Sequence, residues 1–217
     1  MKQWFLLRRQ PVAERDHLLD LFSLEDGLIR VRQATPARLP DFLERCAGDW
    51  QSGRDWPKLR TAEPLQQFSF QGDTLLCALY LSELLLRLLP EREPQPAIFH
   101  LYQQTLEGLS DGQAPELWLR VFEQRLLQEL GYGFRWDTTT DGAVVAGRYY
   151  RFNAGTGLTE AADGWPGEVL LAVAAGDFLA PGAMKAARLI LRQALDSVLT
   201  RPLISRELLL PASVAQQ

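Results

Sequence analysis

The chain has 217 residues, 47% hydrophobic and 23% charged, enough to bury a core in one large or two small domains. No apolar run reaches the roughly 18–20 residues needed to cross a bilayer, and the opening MKQWFLLRRQP lacks a small-residue cleavage site, so it reads as a first strand. The net charge is −4, but residues 1–65 carry 11 Lys+Arg against 10 Asp+Glu, so the negative balance belongs to the remainder.

The first sixty-odd residues read as β. Short apolar runs at Trp4–Arg8, Leu18–Ser23 and Leu28–Gln33 are separated by Pro11 and by the turn Glu25-Asp26-Gly27. Lys58–Ala62 is a candidate fourth strand. Several short strands in so few residues fit a small barrel, and pattern alone allows either an OB-fold or an SH3-like barrel.

The middle is helical. Asp73 is placed as the N-cap of a helix over Thr74–Leu89 that Pro90 stops. A second helix is expected over about Pro96–Leu109. A third has Pro115 in its first turn, the stripe Leu119, Phe122, Leu126 and Leu130, and Gly131 or Gly133 as a left-handed end. From Phe134 to about Leu171 glycines, aspartates and threonines punctuate short runs, which suggests a β-hairpin insertion. A last helix runs over roughly Ala183–Leu199, and the tail from Pro211 is expected to be loose.

The chemistry-bearing motifs are few. NAGTGLTEA, Asn153–Ala161, lacks the third glycine of a dinucleotide fingerprint and reads as a turn. There is no GxxxxGK[ST] and no nucleophile elbow, and Asp137 with Asp141 reads as an acidic turn. An enzyme is not expected. Cys46 and Cys77 form no CxxC pair, and His17 and His100 stand far apart, so neither metal nor cofactor is expected. Free thiols fit a reducing cytoplasm.

Three segments carry a resemblance when taken in order: YLSELLLRLLP, Tyr80–Pro90; FEQRLLQELGYGF, Phe122–Phe134; and RPLISREL, Arg201–Leu208. With the opening pattern from Trp4 to Val31, they resemble the bacterial recombination mediator family RecO. The likeness is weak between about Thr35 and Asp55. It implies an α+β fold in which an N-terminal OB-fold barrel, residues 1–66, precedes an α-helical domain, residues 67–217. The helical domain would carry a small metal-free β insertion at about 134–171. The implied activity is non-enzymatic: binding of single- and double-stranded DNA, strand annealing and, with RecR, help to RecA in replacing the single-strand-binding protein SSB. The implied place is the cytoplasmic nucleoid, with no membrane partner. An alternative is a protein–protein adaptor that works through SSB or RecR with little DNA affinity, which the pI of about 5.3 favours.

For DNA, the candidates are Arg8, Arg9, Arg30, Arg32, Arg38, Lys58 and Arg60. In LIRVRQ, Ile29 and Val31 face one way and Arg30 and Arg32 the other, about 6.7 Å apart. Trp4, Trp50 and Trp56 are candidate rings for base stacking. Family members often carry a Lys/Arg-rich loop after the third strand, whereas ATPARLPDF, Ala34–Phe42, holds only Arg38. For the acidic, aromatic-ended tail of SSB, the resemblance implies an apolar pocket beside a cation. Arg120 is the candidate carboxylate partner, with Leu84, Leu88, Leu119 and Phe122 as walls.

Overall fold

The structure is a computed structural model, described over residues 1–13, 16–34 and 40–209. It forms two compact units, Met1–Gln113 with Leu203–Gln217, and Ala114–Pro202.

The first unit opens with β1 (Lys2–Ala13), β2 (Asp16–Ser23), β3 (Gly27–Ala34), β4 (Arg45–Gln51) and β5 (Lys58–Gln66). These close into a barrel in the order β1-β2-β3-β5-β4, with β4 returning to β1. That order, antiparallel except for β3 beside β5, is the OB topology. Alternation sets the faces. Trp4, Leu6, Leu19, Leu21, Ile29, Val31 and Cys46 point inward as one cluster, closed by Trp50, Leu59 and Ala62.

Two points differ from the sequence expectation. Pro11 does not separate strands but lies inside β1, opposite His17. This is tolerated because β4 pairs with β1 only through Lys2–Phe5, so no neighbour on that side needs an amide from Pro11. Lys58–Ala62 begins the fifth strand, and the fourth is RCAGDWQ, whose small residues hide its alternation. There Gly48 runs against β5, and a Cβ would sit 2.1 Å from the Thr61 carbonyl oxygen. At the start of β3, Gly27 has φ +69, and a Cβ would meet the Glu93 carbonyl oxygen at 2.1 Å.

The barrel's outer face is apolar at one end. Phe5 and Phe22 point away from the barrel interior and meet Phe99 at ring separations of 5.1 and 5.4 Å, while Tyr102 meets Phe5 edge-on at 5.0 Å. Phe99 and Tyr102 belong to α2 (Pro96–Ser110), which follows α1 (Asp73–Leu88). The buried Tyr102 hydroxyl bonds Ser82 of α1 at 2.8 Å, and burial pushes its pKa well above the ordinary phenol value. Asp73 is not the cap of α1. Gly72, at φ 53, takes that position without a side-chain bond, and Asp73 becomes the first helical residue, its carboxylate near the positive helix end. The short α6 (Ile204–Leu209) returns to α1. There the Glu83 carboxylate accepts the Ile204 and Ser205 amides at 3.1 and 2.8 Å and the Ser205 hydroxyl at 2.6 Å.

The second unit holds α3 (Pro115–Glu129), β6 (Thr138–Thr139), β7 (Gly142–Ala143), β8 (Tyr149–Asn153), β9 (Gly157–Ala161), β10 (Trp165–Pro166), α4 (Gly167–Ala174) and α5 (Ala183–Val198). Gly131, at φ 81, ends α3: Tyr132 donates back to Leu127 at 2.8 Å and Gly131 to Gln128 at 3.1 Å. The insertion's central hairpin is β8–β9; of the expected turn Asn153–Ala161 only the Asn153–Gly157 part turns the chain, and Gly157–Ala161 is instead strand β9, paired with β8. It lies in a five-stranded sheet ordered β10-β8-β9-β6-β7. The last stretch of the expected insertion is instead helical, as α4, because Gly167–Ala174 packs Leu170 and Val173 as a helical stripe. No helix among the described residues is long and apolar enough to cross a membrane.

Candidate nucleic-acid interface

Arg8, Arg30, Arg32, Lys58 and Arg60 lie on the barrel's outward positions, and most of them are engaged, whereas Arg9 stands in register with the core residue Leu19. Arg8 and Arg30 stand in register on either side of Asp20, on β1, β3 and β2. Arg8 Nε reaches Asp20 Oδ2 at 2.6 Å; Arg30 Nε reaches Oδ1 at 2.6 Å and its Nη2 reaches Oδ2 at 3.3 Å. The bond to Asp20 raises the Arg30 pKa, against some desolvation, with Glu91 adding a longer-range pull. Arg32 pairs with Asp16, whose bond raises its pKa as well. Arg60 Nε donates to Gln51 at 2.9 Å. Arg9 lies over the Phe42 ring at 5.3 Å, and Lys58 is exposed beside Arg32 at the β3–β5 closure. Arg38 lies outside the described residues.

The candidate stacking rings sort by the strand faces. Trp4 is fully buried in the barrel core, so it offers no surface to a base; its position in β1 points inward, a parity that the flanking Leu6 shares. Trp50 packs half-buried against that core with Lys2 over its ring at 4.7 Å. Trp56 is 39% exposed, with the Arg30 guanidinium 5.5 Å from its ring centroid. A cation and an exposed ring side by side can hold a phosphate and stack a base.

The partner-site residues divide between the units. Leu84, fully buried, and Leu88, half-buried, belong to α1 in the first unit. Arg120, Leu119 and Phe122 belong to α3 in the second, where Leu119 and Phe122 are core. Arg120 is only 8% exposed and its Nη1 lies 2.9 Å from Glu123 Oε2 one helical turn on. A ligand carboxylate there must compete with Glu123.

Sequence reasoning missed Asp16 and Asp20. Both face outward, and the alternation that exposes Arg30 predicts Asp20 opposite it only once the β2–β3 register is known. It also missed a cleft of about 630 Å³ in the second unit, lined by Tyr132, Phe134, Arg135, Thr139, Gly155 and Val198 among others. There Arg135 is held by Asp137 through bonds of 2.9 and 2.8 Å, which raise the arginine's pKa and lower the aspartate's. Among the described residues, no group of three or more His, Cys, Asp or Glu is arranged to hold a metal.

Barrel, helices and the arginine–aspartate row define a class: an α+β protein with an OB-type barrel followed by a helical region. The family model described as "Recombination protein O C terminal" matches residues 69–207. A protein of Stutzerimonas stutzeri named DNA repair protein RecO is 37% identical over 214 residues, 94% of this chain and 91% of that protein. One of the same name from Pseudomonas aeruginosa LESB58 is 38% identical over 218 residues, covering 94% and 92%. Another, from Pseudomonas entomophila, is 48% identical over 143 residues, 63% of each chain. The chain belongs to the RecO family.

Proposed function

We propose that this chain acts in recombinational DNA repair as a non-enzymatic mediator. It binds single- and double-stranded DNA through the barrel, promotes annealing, and with RecR helps RecA replace SSB on single strands in the cytoplasmic nucleoid. The observation that carries the reading is the barrel's outward row of Arg8, Arg30 and Arg32 beside the exposed Trp56, in a chain similar along most of its length to proteins named for DNA repair. Guanidiniums beside an exposed ring are the elements a single strand needs, for its phosphates and for its bases. Arg9, Arg38, Lys58 and Arg60 are proposed to extend the path, and Arg120, beside Leu119 and Phe122 on α3, to meet the SSB tail.

A second reading is the adaptor that acts through SSB or RecR with weak DNA binding. The observation favouring it is that Arg8, Arg30 and Arg32 are already paired with Asp20 and Asp16, which lowers the field a phosphate meets. Fluorescence anisotropy with single-stranded DNA at two salt concentrations separates the readings. On the mediator reading, Arg30→Glu with Arg32→Glu weakens binding and flattens the log–log salt slope by about 0.7 for each phosphate no longer neutralised. Unchanged binding by that variant favours the adaptor.

A further inference from the structure

Asp20 is oddly placed for an outward-facing carboxylate. It is 5% exposed, yet both its neighbours across the sheet are arginines whose side chains remain 43% and 30% exposed. One arginine would suffice to satisfy a carboxylate; two leave the row with a net positive charge. Arg8 uses only Nε for Asp20, and Arg30 uses Nε and Nη2, so most of the N–H donors of both forks point elsewhere. Because both guanidiniums donate to Oδ2, their ends are drawn to one spot on the barrel. Two loose arginines would each have to be ordered by a ligand, whereas these are ordered beforehand. The Trp56 ring lies against Arg30 on the same surface.

The geometry points to Asp20 as a positioning residue whose carboxylate braces Arg8 and Arg30 into one site for a single phosphodiester group, with the neighbouring base on Trp56. This rests on the reading that the barrel meets nucleic acid, and sharpens it to a subsite. Each fork can offer two N–H groups to the phosphate's non-bridging oxygens, the pairing for which guanidinium geometry is suited.

Two measurements test it with the full chain and an oligo-dT strand. Asp20→Asn removes a negative charge from the DNA-facing surface, so charge alone would tighten binding. The bracing role instead requires affinity to fall about tenfold, the scale of one charge-assisted hydrogen bond. The second measurement leaves Asp20 intact and compares the salt slopes of Arg8→Gln, Arg30→Gln and the double variant. One shared phosphate requires the double variant to lose about 0.7 of slope in all, because the pair neutralises one phosphate, whereas separate phosphates give about 0.7 for each arginine and about 1.4 together. If Asp20→Asn unfolds the barrel, seen by far-UV circular dichroism, the arginine series decides alone. Tighter or unchanged binding by a folded Asp20→Asn protein, or a double-variant slope loss of about 1.4, overturns the subsite while the nucleic-acid reading stands. Failure of the parent protein to bind the strand overturns both.

Discussion

Glu83 ties the start of α6 to α1, and its removal has a calculable consequence. The carboxylate accepts two backbone amides and a hydroxyl from Ile204 and Ser205, with Arg87 3.4 Å away on its own helix. It serves as the N-terminal cap that α6 does not supply from its own sequence. Hydrogen bonds to a charged group contribute about 1.5–3 kcal/mol each, but solvent re-wets the Ile204 amide once α6 loosens, so Glu83→Ala should cost about 2–3 kcal/mol in total. Glu83→Gln keeps an acceptor oxygen and should cost roughly half that. Urea unfolding gives the loss, and hydrogen exchange should place it at residues 203–206.

The pH dependence follows from the same bonds. Burial pushes the Glu83 carboxyl up, but the bonds from Ser205, Ile204 and Arg87 outweigh it, and its pKa falls below the ordinary carboxylate value. A lowered folded-state pKa means that the stabilisation is complete above the unfolded value, about 4.3, and is lost as pH falls through the folded one. The difference between parent and Glu83→Gln should therefore be constant near neutrality and shrink below about pH 4. Equal urea midpoints for parent and Glu83→Ala, with unchanged exchange at Ser205, would refute the capping account.

Phe99→Ala removes the ring on which Phe5 and Phe22 converge and should cost about 3–5 kcal/mol, read as a lower urea midpoint. Arg120→Ala takes an ion-pair partner from the 1% exposed Glu123 and should lower the urea midpoint in the same assay. A peptide with an acidic run and a C-terminal aromatic should bind several-fold more tightly to Glu123→Gln by calorimetry, because Arg120 is released from competition; no gain would remove Arg120 as the carboxylate's partner. Elemental analysis of purified protein should find no stoichiometric zinc, and chelators should leave the unfolding midpoint unchanged, since two separate cysteines and two separate histidines cannot close a tetrahedral site.

What the sequence determined by itself is what depends on neighbours along the chain. Alternation in β1, β2 and β3 identifies Leu6, Leu19, Leu21, Ile29 and Val31 as one face, because side chains in a strand alternate with period two. Pro115 and Gly131 bound α3 because their backbone preferences are local. The three ordered segments were enough to mark the RecO family, which the match over residues 69–207 bears out. The tertiary structure decided whatever depends on register and packing. Trp4 follows the same alternation as Leu6, so its place was core despite the appeal of an exposed ring. The fourth strand stayed hidden because RCAGDWQ is held by close backbone approach at Gly48 rather than by a run of large apolar residues. Phe5 and Phe22 point away from the barrel core, and only their meeting with Phe99 and Tyr102 gives them a partner. The state of the arginines is the sharpest case: residues 8, 20 and 30 are distant in sequence, and only the β1–β2–β3 register brings one carboxylate between two guanidiniums.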